Sequence, residues 1–99
     1  SKGNYNQTLD LLNLPVKVTS TALTISLPDG TTSPKLINYD VPFTGVAPED
    51  QVYVSLDQEL SANTIISSYV TTKDMVRVAI VNFGAAIDKS VLVKIKTIN

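Results

Sequence analysis

The sequence predicts a small all-β domain, an antiparallel β-sandwich with jelly-roll-like connections, on the basis of three observations. The β-branched residues Val, Ile and Thr, which favour extended strands, make up nearly a third of the 99 residues. Apolar and polar residues alternate with a period of two in several segments. Turn-forming residues separate these segments at intervals of about ten residues, as in a sandwich or small barrel. We therefore expect one β-domain over residues 16–99, preceded by a distinct segment at residues 1–15.

Residues 1–15 break the β pattern and are predicted to form an arm or a short helix. Thr8 is suited to cap one or two helical turns, which Pro15 would end. These turns would carry four leucines, and Tyr5 precedes them as a possible anchor. The leucines are Leu9, Leu11, Leu12 and Leu14. Four exposed leucines would promote aggregation, so we expect them to be buried. Two alternatives remain open: a lid on this domain's own sheet, or an arm that docks on another protein.

Two strands are predicted in the first half of the domain. Residues 23–27 alternate apolar and polar side chains, and turn residues follow at 28–30. The alternation resumes at residues 37–43, where it places Tyr39 on the core face. Pro42 lacks a backbone N–H, so this strand is expected at the edge of a sheet.

Four more strands are predicted in the second half. Residues 52–56 follow a turn, and residues 90–98 combine an apolar face with a lysine-bearing face. A short link at residues 72–74 joins strands at 64–71 and 75–82 into a hairpin. Both faces of the latter strand are largely apolar, so we expect both to be covered. The second face would be covered by a partner subunit or by the N-terminal segment.

Charge and hydropathy exclude several classes of partner. The formal net charge is −1, which gives no basic surface for nucleic acid or for a membrane. The first residues form no apolar run typical of a signal peptide, and no segment approaches the roughly 20 apolar residues of a membrane span. Charged residues are only 17% of the chain. This depletion favours a surface that is partly interface, although a neutral, Thr-rich surface without a partner explains it equally well.

Composition also predicts that the chain is not an enzyme. It contains no His and no Cys, which removes the commonest general base, thiol nucleophile and metal ligands. The acid pairs Glu49/Asp50 and Asp57/Glu59 lie in turn-like sequence and are interpreted as solvated turn residues rather than a catalytic pair. No calcium-loop pattern and no Gly-rich phosphate loop is present. We therefore expect no cofactor and no metal site.

One tyrosine is a candidate for a binding surface. Tyr53 is out of phase with Val52 and Val54, which points it away from the core face of its strand. An outward aromatic side chain is suited to a protein interface, or to stacking on a sugar.

Two segments of the second half resemble a known module. They read G-V-A-P-E-D-Q-V-Y-V at residues 45–54 and K-D-M-V-R-V-A-I-V-N-F-G-A-A-I-D at residues 73–88. Together they resemble a C-terminal β-module of bacteriophage virion proteins, found in head fibres, capsid decoration (cement) proteins and tail-fibre segments. The chain departs from that pattern in two turns, with Glu49-Asp50 for Gly-Asp and Ser61-Ala62-Asn63 for a Pro-Ala-Gly-like turn.

The resemblance implies a structural virion protein, most simply a decoration or cement protein on the capsid surface, made in the cytoplasm of the bacterial host. Its partners would be the major capsid protein or another virion protein, and it would form a homo-oligomer, by analogy a homotrimer. The alternative is a receptor- or glycan-binding module of a head or tail fibre, acting through loops near Tyr53 or Phe83. The residues predicted at the protein interface are Tyr5, Leu9, Leu11, Leu12, Leu14 and Tyr53.

Overall fold

The computed structural model describes residues 15–98, which form six β-strands and no helix. The predicted all-β fold is confirmed for this part of the chain. The short helix expected within residues 1–15 lies outside the described residues. The strands are β1 (Val16–Leu27), β2 (Lys35–Pro42), β3 (Gln51–Leu56), β4 (Thr64–Thr72), β5 (Met75–Asn82) and β6 (Ile87–Ile98).

The strands form two three-stranded sheets that face one another. Sheet A has the order β1-β6-β3 and sheet B the order β2-β5-β4, and all neighbouring strands are antiparallel. Four of the five connections cross from one sheet to the other, and β4–β5 forms a hairpin within sheet B. The predicted β-sandwich is therefore confirmed, and β2 with Pro42 lies at a sheet edge, as expected.

The core lies between the two sheets and follows the period-two alternation of the strands. The central strands contribute most to it, because both have neighbours on either side. The fully or nearly fully buried apolar side chains are Ile25, Leu27, Val41, Phe43, Val46, Val70, Val76, Val78, Ile80, Val91, Val93 and Ile95. Tyr39 packs against this cluster, in agreement with its predicted core position.

Strand β1 is longer than the alternation at residues 23–27 predicts. It begins at Val16 and pairs with β6 along its whole length, from Val16 opposite Ile98 to Leu27 opposite Ile87. In its first half the inward positions carry polar residues such as Thr19 and Thr21, so hydrophobic periodicity gives no signal there. Pairing with β6, and not local pattern, defines this half of the strand.

The two apolar faces of β5 have different surroundings. Its inner face is fully buried, whereas on its outer face Ala79 is buried and Arg77 and Val81 are half-buried. Side chains of the flanking strands β2 and β4 shield this outer face within the described residues. A covering partner or N-terminal segment therefore stays a prediction.

The β4–β5 hairpin is attached to the loop between β2 and β3. Asp74 adopts a positive φ of 67°, a left-handed conformation that Asp tolerates better than most residues. Its backbone oxygen accepts a hydrogen bond from Phe43 N (2.9 Å), and its Oδ1 accepts one from Gly45 N (2.7 Å). Asp74 N in turn donates to Val46 O (3.0 Å). These bonds fix one end of the sandwich.

A buried asparagine fixes the opposite end. The Asn82 side chain is fully buried, and its Nδ2 donates to the backbone oxygens of Pro28 (3.0 Å), Gly84 (3.2 Å) and Ala85 (3.0 Å). Its Oδ1 accepts from Gly84 N (3.0 Å). Gly30 packs so closely here that an added Cβ would lie 1.8 Å from Asn82 O. Asn82 thus joins the β1–β2 loop to the β5–β6 loop.

We expect Asn82→Ala to destabilise the fold by about 2–4 kcal/mol, because it leaves several backbone groups in this interior without partners. The measurement is the free energy of unfolding in urea. Asn38→Ala is the matched control, since Asn38 lies exposed on β2. Equal stability losses in the two variants would contradict the role assigned to the buried amide.

Candidate protein-interaction surface

The outer face of sheet A carries a shallow, largely apolar groove of about 400 Å³. We call it the sheet A groove. Its lining residues are Val16, Val18, Tyr53, Val54, Ser55, Lys94 and Lys96. They come from all three strands of the sheet, and no acidic residue is among them.

Strand register brings the lining residues side by side. Val18 on β1 and Tyr53 on β3 both lie opposite Lys96 on β6, so the three form one row across the sheet. Lys94 forms the next row with Ser20 and Ser55. Antiparallel partners point to the same face, so each row is continuous on the outer surface.

Tyr53 supplies the aromatic wall of the groove. Its side chain is 53% exposed, and its hydroxyl donates a hydrogen bond to Gln51 Oε1 (3.0 Å). That bond fixes the hydroxyl while the ring remains open to solvent. The orientation agrees with the out-of-phase position of Tyr53 in the sequence, and its role at an interface stays a prediction.

The two lysines place positive charge next to apolar surface. Lysine side chains commonly lay their methylene stems along such surface and leave the ammonium group in water. A smaller depression of about 230 Å³ continues from the groove and shares Ser55 and Lys94 with it. Asp57 lines this depression, whereas the groove itself has no acidic lining residue and is chemically suited to an apolar segment that carries acidic or carbonyl groups.

The six residues predicted at the interface divide between the groove and the segment outside the described residues. Tyr5, Leu9, Leu11, Leu12 and Leu14 all lie outside the described residues, and Tyr53 alone is in the groove. Val16, which follows the N-terminal segment directly, also lines it. Strand β1 therefore begins at this surface.

The sequence does not identify five further groove residues, which are Val16, Val18, Ser55, Lys94 and Lys96. The alternation at residues 90–98 indicates only that Lys94 and Lys96 lie on the polar face of the last strand. Val16 and Val18 are about half exposed and share the outward phase of β1. The alternate placement of these two valines before a Thr-rich stretch indicates an extended strand. It does not reveal the groove, because the residues beside them in the sheet are distant in sequence.

Phe83 does not belong to the same surface as Tyr53. Phe83 lies just after β5, near the paired ends Leu27 and Ile87, whereas Tyr53 lies opposite Lys96 near the other end of β6. A twelve-residue strand spans about 40 Å at roughly 3.3 Å per residue. The two exposed aromatics therefore cannot form one binding site in a single copy.

The acid pairs have structural positions in turns. Asp50 Oδ2 accepts a hydrogen bond from Ala47 N (3.0 Å), and Asp57 Oδ1 accepts one from Leu92 N (2.9 Å). Asp50 precedes β3 and Asp57 follows it, so the strand separates them by about 20 Å. Glu49 and Glu59 are exposed. The pairs do not face one another across a cleft.

The described part of the chain holds neither a candidate metal site nor a membrane-spanning helix. Residues 15–98 contain no group of three or more acidic, His or Cys side chains close enough to hold a metal ion. None of their elements is a helix of the length and hydropathy needed to cross a membrane.

Comparison of the chain with protein-family models, with curated proteins and with solved structures found no match.

The outer face of sheet B differs from that of sheet A in its electrostatics. Arg77 Nε donates to Asp40 Oδ1 (2.8 Å), and Arg77 Nη2 donates to Asp40 Oδ2 (3.2 Å), a two-point ion pair across β2 and β5. The hydrogen bonds from Arg77 lower the pKa of Asp40. Asp40 and then the Tyr69 hydroxyl raise the pKa of Arg77.

We expect the contribution of Asp40 to stability to depend on pH in the acidic range. Because its pKa is lowered on folding, the contribution is present above the unfolded value of about 3.9 and is lost as pH falls through the folded value. Asp40→Asn should therefore lower the Tm at pH 7, and the gap to the unmodified protein should close at low pH. Asp88→Asn, on the outer face of sheet A, controls for removal of one negative charge. A gap that is constant with pH would contradict this.

Proposed function

We propose that the chain is a non-enzymatic structural protein of a bacteriophage particle, which decorates the capsid surface by binding the major capsid protein or another virion protein. The observation that carries the proposal is the exposed, apolar sheet A groove with its two lysines. Residues 45–54 and 73–88, which resemble a phage virion module, support the same proposal. The groove gives that module a surface with which to bind another protein.

Simple energetics support binding through this groove. Burying a side chain the size of Val or Leu stabilises a complex by about 1.5–3 kcal/mol, and aromatic side chains are frequent binding hot spots. Val16, Val18 and Tyr53 are already ordered by sheet A, which lowers the entropy cost of association. Repetition of a modest contact at each symmetry position of a capsid would multiply its effect if copies are linked.

We expect Tyr53→Ala to weaken binding to DNA-free capsids of the encoding phage by about tenfold or more, while the fold is kept. The Tyr53 ring is exposed and contributes little to the core. The measurement is co-sedimentation of the purified protein with capsids over a range of concentrations. Leu36→Ala is the matched control, because Leu36 is 58% exposed on sheet B, away from the groove.

The two variants separate the possible outcomes. Loss of binding in Tyr53→Ala alone supports the groove as the capsid-binding surface. Equal binding by both variants and the unmodified protein would show that another surface binds. No binding by the unmodified protein to capsids would contradict the proposed function itself.

A glycan-binding function is the second candidate, and the open ring of Tyr53 beside Ser55 favours it. Exposed tyrosine rings stack on the apolar faces of sugars, and nearby hydroxyl and ammonium groups donate hydrogen bonds. A glycan array distinguishes the candidates. Specific sugar binding that Tyr53→Ala abolishes would favour a receptor-binding module of a head or tail fibre.

We also propose that residues 1–14 act as a docking arm rather than a lid. They precede Val16 at the edge of the sheet A groove, and they carry the four leucines. We expect deletion of residues 1–14 to leave a folded sandwich, since the core begins at Ile25, and to reduce capsid binding. Circular dichroism and co-sedimentation measure the two effects. An unfolded deletion variant would assign the leucines to this domain's own core, and unchanged binding would contradict the arm.

A further inference from the structure

Within residues 15–98, strand β4 is an uncovered sheet edge that carries no charged residue and no proline, and it pairs regularly from Thr64 to Val70. It lies at the edge of sheet B, and β5 is its only paired neighbour within residues 15–98. Its sequence, TIISSYVTT, contains no charged residue, no Pro and no Gly. Natural proteins usually protect long edges with lysine, proline, bulges or covering loops, because free backbone groups pair with other strands.

The other edges of the sandwich are partly protected or short. Strand β2 carries Lys35, Asp40 and Pro42. On β1, the free backbone groups of Ser26 are occupied by the Tyr39 hydroxyl, which accepts from Ser26 N (2.9 Å) and donates to Ser26 O (3.2 Å). Strand β3 has only six residues. The contrast singles out β4.

The hydrogen-bonding phase of β4 identifies the backbone groups that face outward. Asn63 O, just before the strand, accepts from Phe83 N (2.8 Å) on the β5 side. Along an antiparallel strand, the backbone N–H and C=O groups of successive residues point to alternate sides. The backbone groups of Ile65, Ser67 and Tyr69 therefore also point toward β5. The backbone groups of the intervening residues point away from β5. These are Thr64, Ile66, Ser68 and Val70.

We propose that two copies of this chain associate through antiparallel pairing of β4 with β4, with the two-fold axis at Ser67. In this register Ile66 lies opposite Ser68 of the second copy, and Thr64 lies opposite its Val70. All the outward backbone groups from Thr64 to Val70 then gain partners. Sheet B becomes one continuous six-stranded sheet, which is within the ordinary size range.

Side chains on the outer face fit the same register. Ile65 and Tyr69 are 59% and 47% exposed in a single copy. With Ser67 on the axis, Ile65 of each copy lies opposite Tyr69 of the other, an aromatic and β-branched pair that stabilises antiparallel strands. The absence of charge on β4 means that two copies meet without repulsion. The irregularity between Val70 and Thr72 marks where regular pairing ends.

This pairing makes a dimer, because a two-fold contact between identical edges closes on itself. It differs from the trimer implied by the resemblance, and it does not depend on capsid binding.

The first test places a lysine on the axis. Ser67→Lys puts two ammonium groups at a pair whose Cα atoms lie about 4.5 Å apart, so we expect the dimer dissociation constant to rise about tenfold or more. Asn38→Lys is the matched control, because Asn38 and Ser67 lie on either side of Ala79 in the same row of the outer face. Only Ser67→Lys should lose the dimer in sedimentation experiments. An equal mixture of Ser67→Lys and Ser67→Glu chains should recover it.

The second test traps the dimer covalently and does not depend on weakening the contact between the two copies. The chain has no cysteine, so Ser67→Cys introduces a single thiol. We expect it to form a disulfide-linked dimer rapidly on mild oxidation, and Asn38→Cys to do so much more slowly. A monomeric unmodified protein at millimolar concentration, a trimer, or equal crosslinking of the two cysteine variants would each overturn the proposal.

Discussion

The buried side-chain amide of Asn82 satisfies a constraint that this topology creates. Four of the five connections cross between the sheets, so loops at the ends of the sandwich bring backbone groups into places where no strand can pair with them. At one end these groups belong to Pro28, Gly84 and Ala85, and the one side chain of Asn82 hydrogen-bonds to all three residues. A purely apolar residue there would leave polar groups without partners in the interior. The packing of the two sheets against each other depends on these hydrogen bonds between Asn82 and the loops.

The outer faces of the two sheets and the edge at β4 differ in their polarity and charge. The groove on the outer face of sheet A is lined by valines, a tyrosine and lysines, with no acidic residue among its lining residues, and we propose that it binds another protein. On the outer face of sheet B, Arg77 and Asp40 form an ion pair with each other. The edge at β4 is neutral and carries free backbone groups. The two proposals together assign a foreign binding surface to one sheet and self-association to an edge of the other.

The sequence predicts the strands well wherever apolar residues alternate, as at residues 37–43 and 90–98, because local periodicity reflects which face is buried. It fails for the first half of β1, where inward threonines hide the pattern and pairing with β6 determines the strand. The sheet A groove was only partly predictable for the same reason. Tyr53 is visible as an out-of-phase aromatic, but its neighbours Val18 and Lys96 are brought beside it by strand register. Register is a property of the whole sheet, and no local window of sequence contains it.

The position of β6 in sheet A determines when the domain is able to fold. β6 is the last of the described strands, yet it lies between β1 and β3 and supplies the hydrogen-bonding partner of both. During translation the hairpin β4–β5 has its partners early, whereas β1 waits through about 60 residues of synthesis before β6 begins. Contacts this distant in sequence are slow to form, because the entropy cost of closing the long loop comes before any stabilising contact is made. Sheet A therefore cannot form until β6 has been made, and a chain that stalls on the ribosome before β6 exposes β1 and β3 as unpaired strands to the cell's chaperones and proteases.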